Sequence, residues 1–342
     1  MVAPRANHLA GHRHLNLLGS CSVTMFLVLS GHAAIAESQI TSFDVTGAQG
    51  TYALAINAVG SIAGYYLDSG SHKHGFVRGP DGTIQKFDVK KAVETEADCI
   101  DTQGTIAGMY IDGAGAAHGF VRHPDGTIES FTPANGRATH ALGINDAGTV
   151  AGWYLDQSAN GAGYIRSADG TITSFSAPKG SGTIAVSINT KGAVTGSWIT
   201  SEGYPSGFVR TTGGKLKTFG FPGALFTTPE SINDKVVVAG YYYTPDFVEH
   251  GFTYSSVKKN ATIDVPDATA TEVRSINSRG ALAGNFTAQS VSHAFFHTAG
   301  GKLIPFDPAG STGSVATSIN DAGVIAGYYA IDASTHGFVR TP

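Results

Sequence analysis

The sequence predicts an all-β protein. The expected architecture is a seven-bladed β-propeller with four antiparallel strands per repeat of about 44 residues. Its last blade is closed by the N-terminal strand. Three observations carry this expectation. First, a short motif, clearest as Ile-Asn-Asp-Ala-Gly at 144–148 and 319–323, recurs along the chain. Its asparagine slot is filled by Asn57, Asp101, Asn145, Asn189, Asn233, Asn277 and Asn320, in steps of 44 residues and a last step of 43. Second, each repeat holds four short runs of β-branched and aromatic residues bounded by turn residues. Third, the last repeat stops after its third run, His336-Gly337-Phe338-Val339-Arg340. The segment Ile40-Thr41-Ser42-Phe43-Asp44-Val45 matches the fourth run of the first repeat, Ile84 to Val89. A ring closed this way leaves no open edge, whereas a linear solenoid would use capping repeats.

Residues 1–36 read as a secretory signal. Arg5 and Arg13 make a basic start, an apolar stretch runs from Val23 to Leu29, and Ala34-Ile35-Ala36 is a cleavage signature before Glu37. The apolar run is too short to span a bilayer. Residues 37–342 then form a single propeller domain. The whole chain has 22 Lys and Arg against 26 Asp and Glu, and the leader takes two arginines and no acid with it. The mature net charge of 20 − 26 = −6 argues against nucleic acid as a partner. Cys99 is left as a single thiol, which excludes an internal disulfide, and its place in a predicted strand points to burial.

Within a repeat the elements follow in a fixed order. In the third, the strands are expected at 139–145, 149–155, 163–166 and 171–175. The first turn is tight, as in Asn145-Asp146-Ala147-Gly148. The third is also tight, as at Asp81-Gly82, Asp125-Gly126 and Asp169-Gly170, because Asp-Gly permits the positive φ of a hairpin. The remaining two connections, such as 68–74 and 89–97, vary more and read as longer. They would gather on the face opposite the tight turns.

The Ile-Asn-x-x-Gly-x-Ile-Ala-Gly stretch is followed by His-Gly-Phe at His74, His118, His250 and His336, and by His293-Ala294-Phe295. The chain thereby resembles the HAF-type extracellular repeat proteins over essentially its whole mature length. Ala162 and Ser206 replace the histidine in two repeats. The resemblance implies a secreted or surface protein and carries over no catalytic residue.

Repeated residues read as scaffold. Each histidine occurs once per blade, so the series would be spread around a ring and would not converge on a metal. The arginines Arg78, Arg122, Arg166, Arg210 and Arg340 are expected to pair with carboxylates or cap turns. The series from Tyr66 to Tyr329 is expected to pack blade against blade. Asp68, Asp112 and Asp156 offer oxygen to calcium, but too scattered for a cage. No nucleophile elbow, His-Glu-x-x-His or Cys-x-x-Cys occurs. No cofactor and no metal site is expected, and the catalytic residues are unknown.

Positions that break the repeat are better guides to function. In the first strand of each repeat, the innermost in a propeller, two variable slots become charged in only some copies. Glu96, Asp98, His140, Glu230, Glu272 and Arg274 are the candidate ligand-binding residues, expected near one mouth of the central channel. The function expected is a secreted, periplasmic or cell-surface binding module. Its ligand would be a cell-surface glycan or another protein, and the mature chain would be a monomer without stable membrane insertion. The alternative is an extracellular hydrolase or lyase acting on sugars or peptides at the channel mouth, through two carboxylates aided by His or Arg.

Overall fold

The computed structural model describes residues 38–178, 181–257 and 260–342. The leader at 1–36 lies outside the described residues. Within them the protein is all-β and repetitive, with 28 strands numbered β1–β28 in chain order. After β1 (Gln39–Phe43) come seven four-membered groups, the last with three strands of its own. Their first strands are β2 (Gly50–Ile56), β6 (Ala92–Ile100), β10 (Gly136–Ile144), β14 (Ser181–Ile188), β18 (Phe226–Ile232), β22 (Ala270–Ile276) and β26 (Gly313–Ile319). Each first strand touches the first strands of the repeats before and after it, and β2 touches β26. The first strands therefore surround a common axis.

The chain ends meet in one sheet. β1 runs antiparallel to β28 (Ser334–Thr341), from Gln39 opposite Thr341 to Phe43 opposite Gly337. The side chains repeat the contacts of an internal blade. Asp44 accepts from His336 Nδ1 at 3.0 Å, as Asp88 does from His74. Phe43 meets the edge of Phe76 in the first repeat, as Phe87 meets Phe120 in the second.

That phenylalanine contact explains the arginine series. Five of these rings are capped by the arginine of the following repeat, with guanidinium-to-centroid distances of 4.8 Å for Arg122 over Phe87 and 5.0 Å for Arg78 over Phe43. Arg166, Arg210 and Arg340 do the same. The expected carboxylate pairing is found at Arg166, which meets Glu129 at 2.7 Å. The expected turn capping is found at Arg78 and Arg122, which donate to the carbonyls of Gly79 and His123, and cation–π stacking between blades is added to both roles. The aromatic series packs blade against blade as expected, with Tyr154, Tyr242 and Tyr329 in clusters that span two repeats, and Tyr66, Tyr110, Tyr242 and Phe286 also stack on the histidine of their own blade.

The Asn slot forms a second ring. The side-chain amide of Asn57 donates to the carbonyl of Asp101 at 2.8 Å, and those of Asn145, Asn189, Asn233, Asn277 and Asn320 each donate to the next repeat. Asp101 has no amide, so its link to Asn145 is missing. Burial pushes the Asp101 carboxyl up, the Thr105 N–H opposes this, and Asp146 adds to it. Asp101→Asn is expected to restore the link and stabilise the protein by about 1 kcal/mol at pH 7.5. A carboxyl raised by folding contributes stability at low pH and loses it as pH rises through its folded value. The gain over wild type should therefore shrink toward pH 4, where protonated Asp101 can itself donate. Denaturation midpoints across pH measure this, and a pH-independent difference would exclude the linkage.

Cys99 is 8% exposed, with Sγ directed at the Ala107 carbonyl. Serines in the same slot, such as Ser187 and Ser231, accept from a backbone N–H of the next repeat. A small side chain is needed there because the slot faces the adjoining blade.

Candidate functional site

The first strand of every repeat is bulged. Pairing runs Ala53↔Gly64 and then Ala55↔Ala63, so Leu54 has no partner. The same skip falls at Asp98, Leu142, Val186, Glu230, Arg274 and Thr317. A bulge re-aims its extra residue. Here it turns one side chain per repeat out of the sheet on strands that surround the axis. The second candidate slot, two residues earlier, pairs with the residue just after the second-strand glycine: Tyr52 with Tyr65, His140 with Trp153, Glu272 with Asn285.

The structure brings the candidates together in two groups. Glu96 binds Lys73 at 2.7 Å, and the Lys73 ammonium lies over the Tyr65 ring at 4.7 Å. Tyr65 stacks on Tyr52, whose other side meets Tyr328. Asp98 stands beside Glu96. Burial holds its carboxyl well above the usual range, Glu96 adds to that, and Lys73 opposes it. Its Oδ2 is buried with no hydrogen-bond partner among the described residues. His140 stacks flat on Trp153 at 4.3 Å and 6°. Burial pushes its pKa down, against the pull of Glu96, so the ring is neutral at physiological pH.

The second group spans the fifth and sixth repeats. Arg274 Nη2 meets Glu272 at 2.8 Å, and its Nε donates to Asn285 at 2.9 Å. Burial works against the guanidinium charge, but Glu272 and Glu230 outweigh it and hold the pKa up. Burial pushes Glu230 up to about 7, opposed by Arg274 and reinforced by Glu272. Tyr241 faces these carboxylates; burial, then Glu230, raise its hydroxyl to about 12. Tyr328 links the groups, since it contacts Tyr52 and feels both Arg274 and Glu272. Asp98 and Glu230 keep accessible surface, yet surrounding protein atoms dominate their electrostatics.

Lys73, Tyr65, Trp153, Tyr241, Asn285 and Tyr328 are site residues that the sequence reading passed over. Five of them directly follow the glycine of the second strand, where the repeat reads Tyr, Met, Trp, Ser, Tyr, Asn and Tyr. That variability was the available signal. Lys73 is marked only by being basic where other repeats hold small residues, proline or Glu249.

The face expected to carry long connections is more regular than the sequence suggests. Segments such as 68–72 and 112–116 close as short hairpin turns. Asp68, Asp112 and Asp156 cap them, each Oδ1 accepting two backbone N–H groups. These oxygens serve the turns. At the opposite end of the axis, the Asn face opens into a funnel of about 280 Å³ lined by Ile-Asn-x triplets from six repeats and Ile100-Asp101-Thr102 from the second. Its amides are engaged in the Asn ring, and its exposed acids Asp146, Asp234 and Asp321 accept from Thr102, Thr190 and Ser278 of the preceding repeat. Among the described residues no helix is long and apolar enough to cross a membrane.

No family model matches the chain, and no curated protein matches it. Solved structures do. The β-propeller domain of the Trilobed protease from Pyrococcus furiosus is similar at TM-score 0.61 and 8% identity, over 85% of this chain and 95% of that one. A puromycin hydrolase mutant is similar at TM-score 0.56 and 11% identity, over 85% of this chain and 52% of the other. TolB from Acinetobacter baumannii is similar at TM-score 0.52 and 13% identity, over 75% and 66%. What these proteins share with the chain is its fold, a β-propeller.

Proposed function

We propose that the protein is a seven-bladed propeller closed by its N-terminal strand, exported by the leader at 1–36, that works as a binding module. It takes its ligand, a cell-surface glycan or a protein segment, at the axial channel. The HAF-like motifs support an extracellular, periplasmic or surface location. The observation that carries the reading is where the repeat varies. Arginine, histidine and Asn positions do nearly the same structural work in most blades. Chemical variety concentrates in the bulge slot and the two slots beside it, which meet around the axis. Glu96, Asp98, His140, Glu230, Glu272 and Arg274 supply its polar groups, and tyrosines and Trp153 supply flat walls. Aromatic faces flanked by polar groups suit sugars and extended peptides.

The test uses the two variants that disturb the fold least. Arg274 is a poor choice, because removing it strands Glu230 and Glu272. Glu96→Gln and His140→Ala should each keep stability within roughly 1.5 kcal/mol. For a ligand identified on glycan and peptide arrays, each should weaken binding at least about tenfold, or 1.4 kcal/mol. Unchanged affinity in both would move the site away from the axis.

A hydrolase or lyase at the same place is the second reading. Glu230 favours it, since a carboxyl titrating near 7 beside a cation-paired carboxylate is how a general acid is prepared. Turnover of the bound glycan or peptide that is lost in Glu230→Gln, with binding retained, would establish it.

A further inference from the structure

We propose that the axial site recognises a dication, a ligand bearing two ammonium or guanidinium groups, with Asp98 and Glu230 as the carboxylates that receive them. This rests on the axial binding site proposed above and adds the class of ligand.

The argument is one of charge and partners. Five carboxyl groups belong to the cluster: Glu96, Asp98, Glu230, Glu249 and Glu272. Its cations are Lys73 and Arg274, and both are taken. Lys73 is held by Glu96, and Arg274 by Glu272 and Asn285. Glu249 accepts from the Tyr243 hydroxyl. Two carboxyl groups remain. Asp98 has a buried oxygen with no partner, the Met109 N–H being the backbone donor beside the carboxyl. Glu230 receives no hydrogen bond among the described residues, and Arg274 acts on it only through space. A buried carboxylate oxygen without a partner, as at Asp98, is costly. Both carboxyl groups sit at bulge positions, in the second and fifth repeats. Around a seven-membered ring these are three steps apart in one direction and four in the other, so they occupy opposite walls.

The site already shows how it holds an ammonium. Lys73 Nζ lies over the Tyr65 ring and against Glu96 at the same time. Tyr241 stands close enough to Glu230 to feel its charge. An anionic ligand would meet no free cation here. A neutral sugar would satisfy the acceptors without favouring their ionised forms.

Without a ligand, burial pushes both carboxyl groups toward their protonated forms. Facing Glu230 are Arg274, Glu272 and Tyr241. Facing Asp98 are Glu96, Lys73, Tyr65, Cys99 and Tyr164. A bound dication favours the ionised forms and expels those protons. Affinity should therefore rise with pH, because fewer protons remain to be displaced.

Spermidine and a Lys-Lys dipeptide are suitable probes, with a neutral oligosaccharide as the contrast, in calorimetry at near-physiological salt. The expected result is probe binding at least tenfold tighter at pH 8 than at pH 6. It should be accompanied by proton release, seen as a heat that depends on the buffer. The double variant Asp98→Asn with Glu230→Gln should weaken binding at least tenfold without lowering thermal stability, since it removes carboxyl groups that no cation of the protein pairs. If the neutral oligosaccharide binds instead, is weakened by Glu96→Gln and ignores the double variant, the dication is wrong while the axial site stands. If no probe or array ligand responds to any of these variants, both proposals fall.

Discussion

Removing residues 37–46 should lower the stability of the mature chain by about 5 kcal/mol or more and promote self-association. The strand β1 in that segment covers one side of β28 with five residue pairs. Ile40 and Phe43 pack into two different core clusters, and Val45 is 1% exposed. Burying side chains of this size contributes roughly 1.5–3 kcal/mol each. The loss also strips Phe76 and Arg78 of their ring partner, and His336 and Tyr329 of Asp44 and Ser42. Domains of this kind have only about 5–15 kcal/mol to lose. An exposed β28 would present unpaired N–H and C=O groups to another chain. Chemical denaturation and light scattering of chains beginning at 37 and at 47 provide the comparison. Equal midpoints and equal mass would show that β1 does not hold the last sheet.

Gly196→Ala should cost about 3 kcal/mol or more, although it adds a single methyl group. A Cβ there would stand 1.9 Å from the carbonyl oxygen of Ile184, at the bulge of the fourth repeat. Backbone cannot yield as a flexible side chain can, so the bulge would have to flatten. The same collision occurs at Gly64, Gly108, Gly152, Gly240, Gly284 and Gly327, between 2.0 and 2.1 Å from the facing carbonyl. Gly213 provides the control, with ordinary φ and nothing within 4 Å. Gly213→Ala should be neutral, or gain up to about 1 kcal/mol by restricting the unfolded chain. A small loss at Gly196 comparable to that at Gly213 would mean that the bulge is not fixed by this contact. Because the bulge aims Asp98, Glu230 and Arg274, the seven glycines position the candidate site as well as the sheets.

The sequence by itself determined the repeat and nearly all of its strands, because period, turn residues and β-branched runs are local signals. It also pointed to the chain ends as partners, since Ile40–Val45 reads like a fourth strand. Charged breaks in the first strand identified Glu96, Asp98, His140, Glu230, Glu272 and Arg274 without any knowledge of their neighbours. Only the tertiary structure decided what those residues meet. Lys73 reaches Glu96 across 23 positions, and Arg122 caps Phe87 across 35, contacts that arise where two blades abut. The missing link at Asp101 becomes visible only when six amides are seen to reach the next repeat. Hydrogen-bond partners and desolvation depend on distances between blades, and a periodic sequence repeats the same letters whatever those distances are. Asp98 and Glu230 read as two acids among many, and the folded ring is what leaves them without partners.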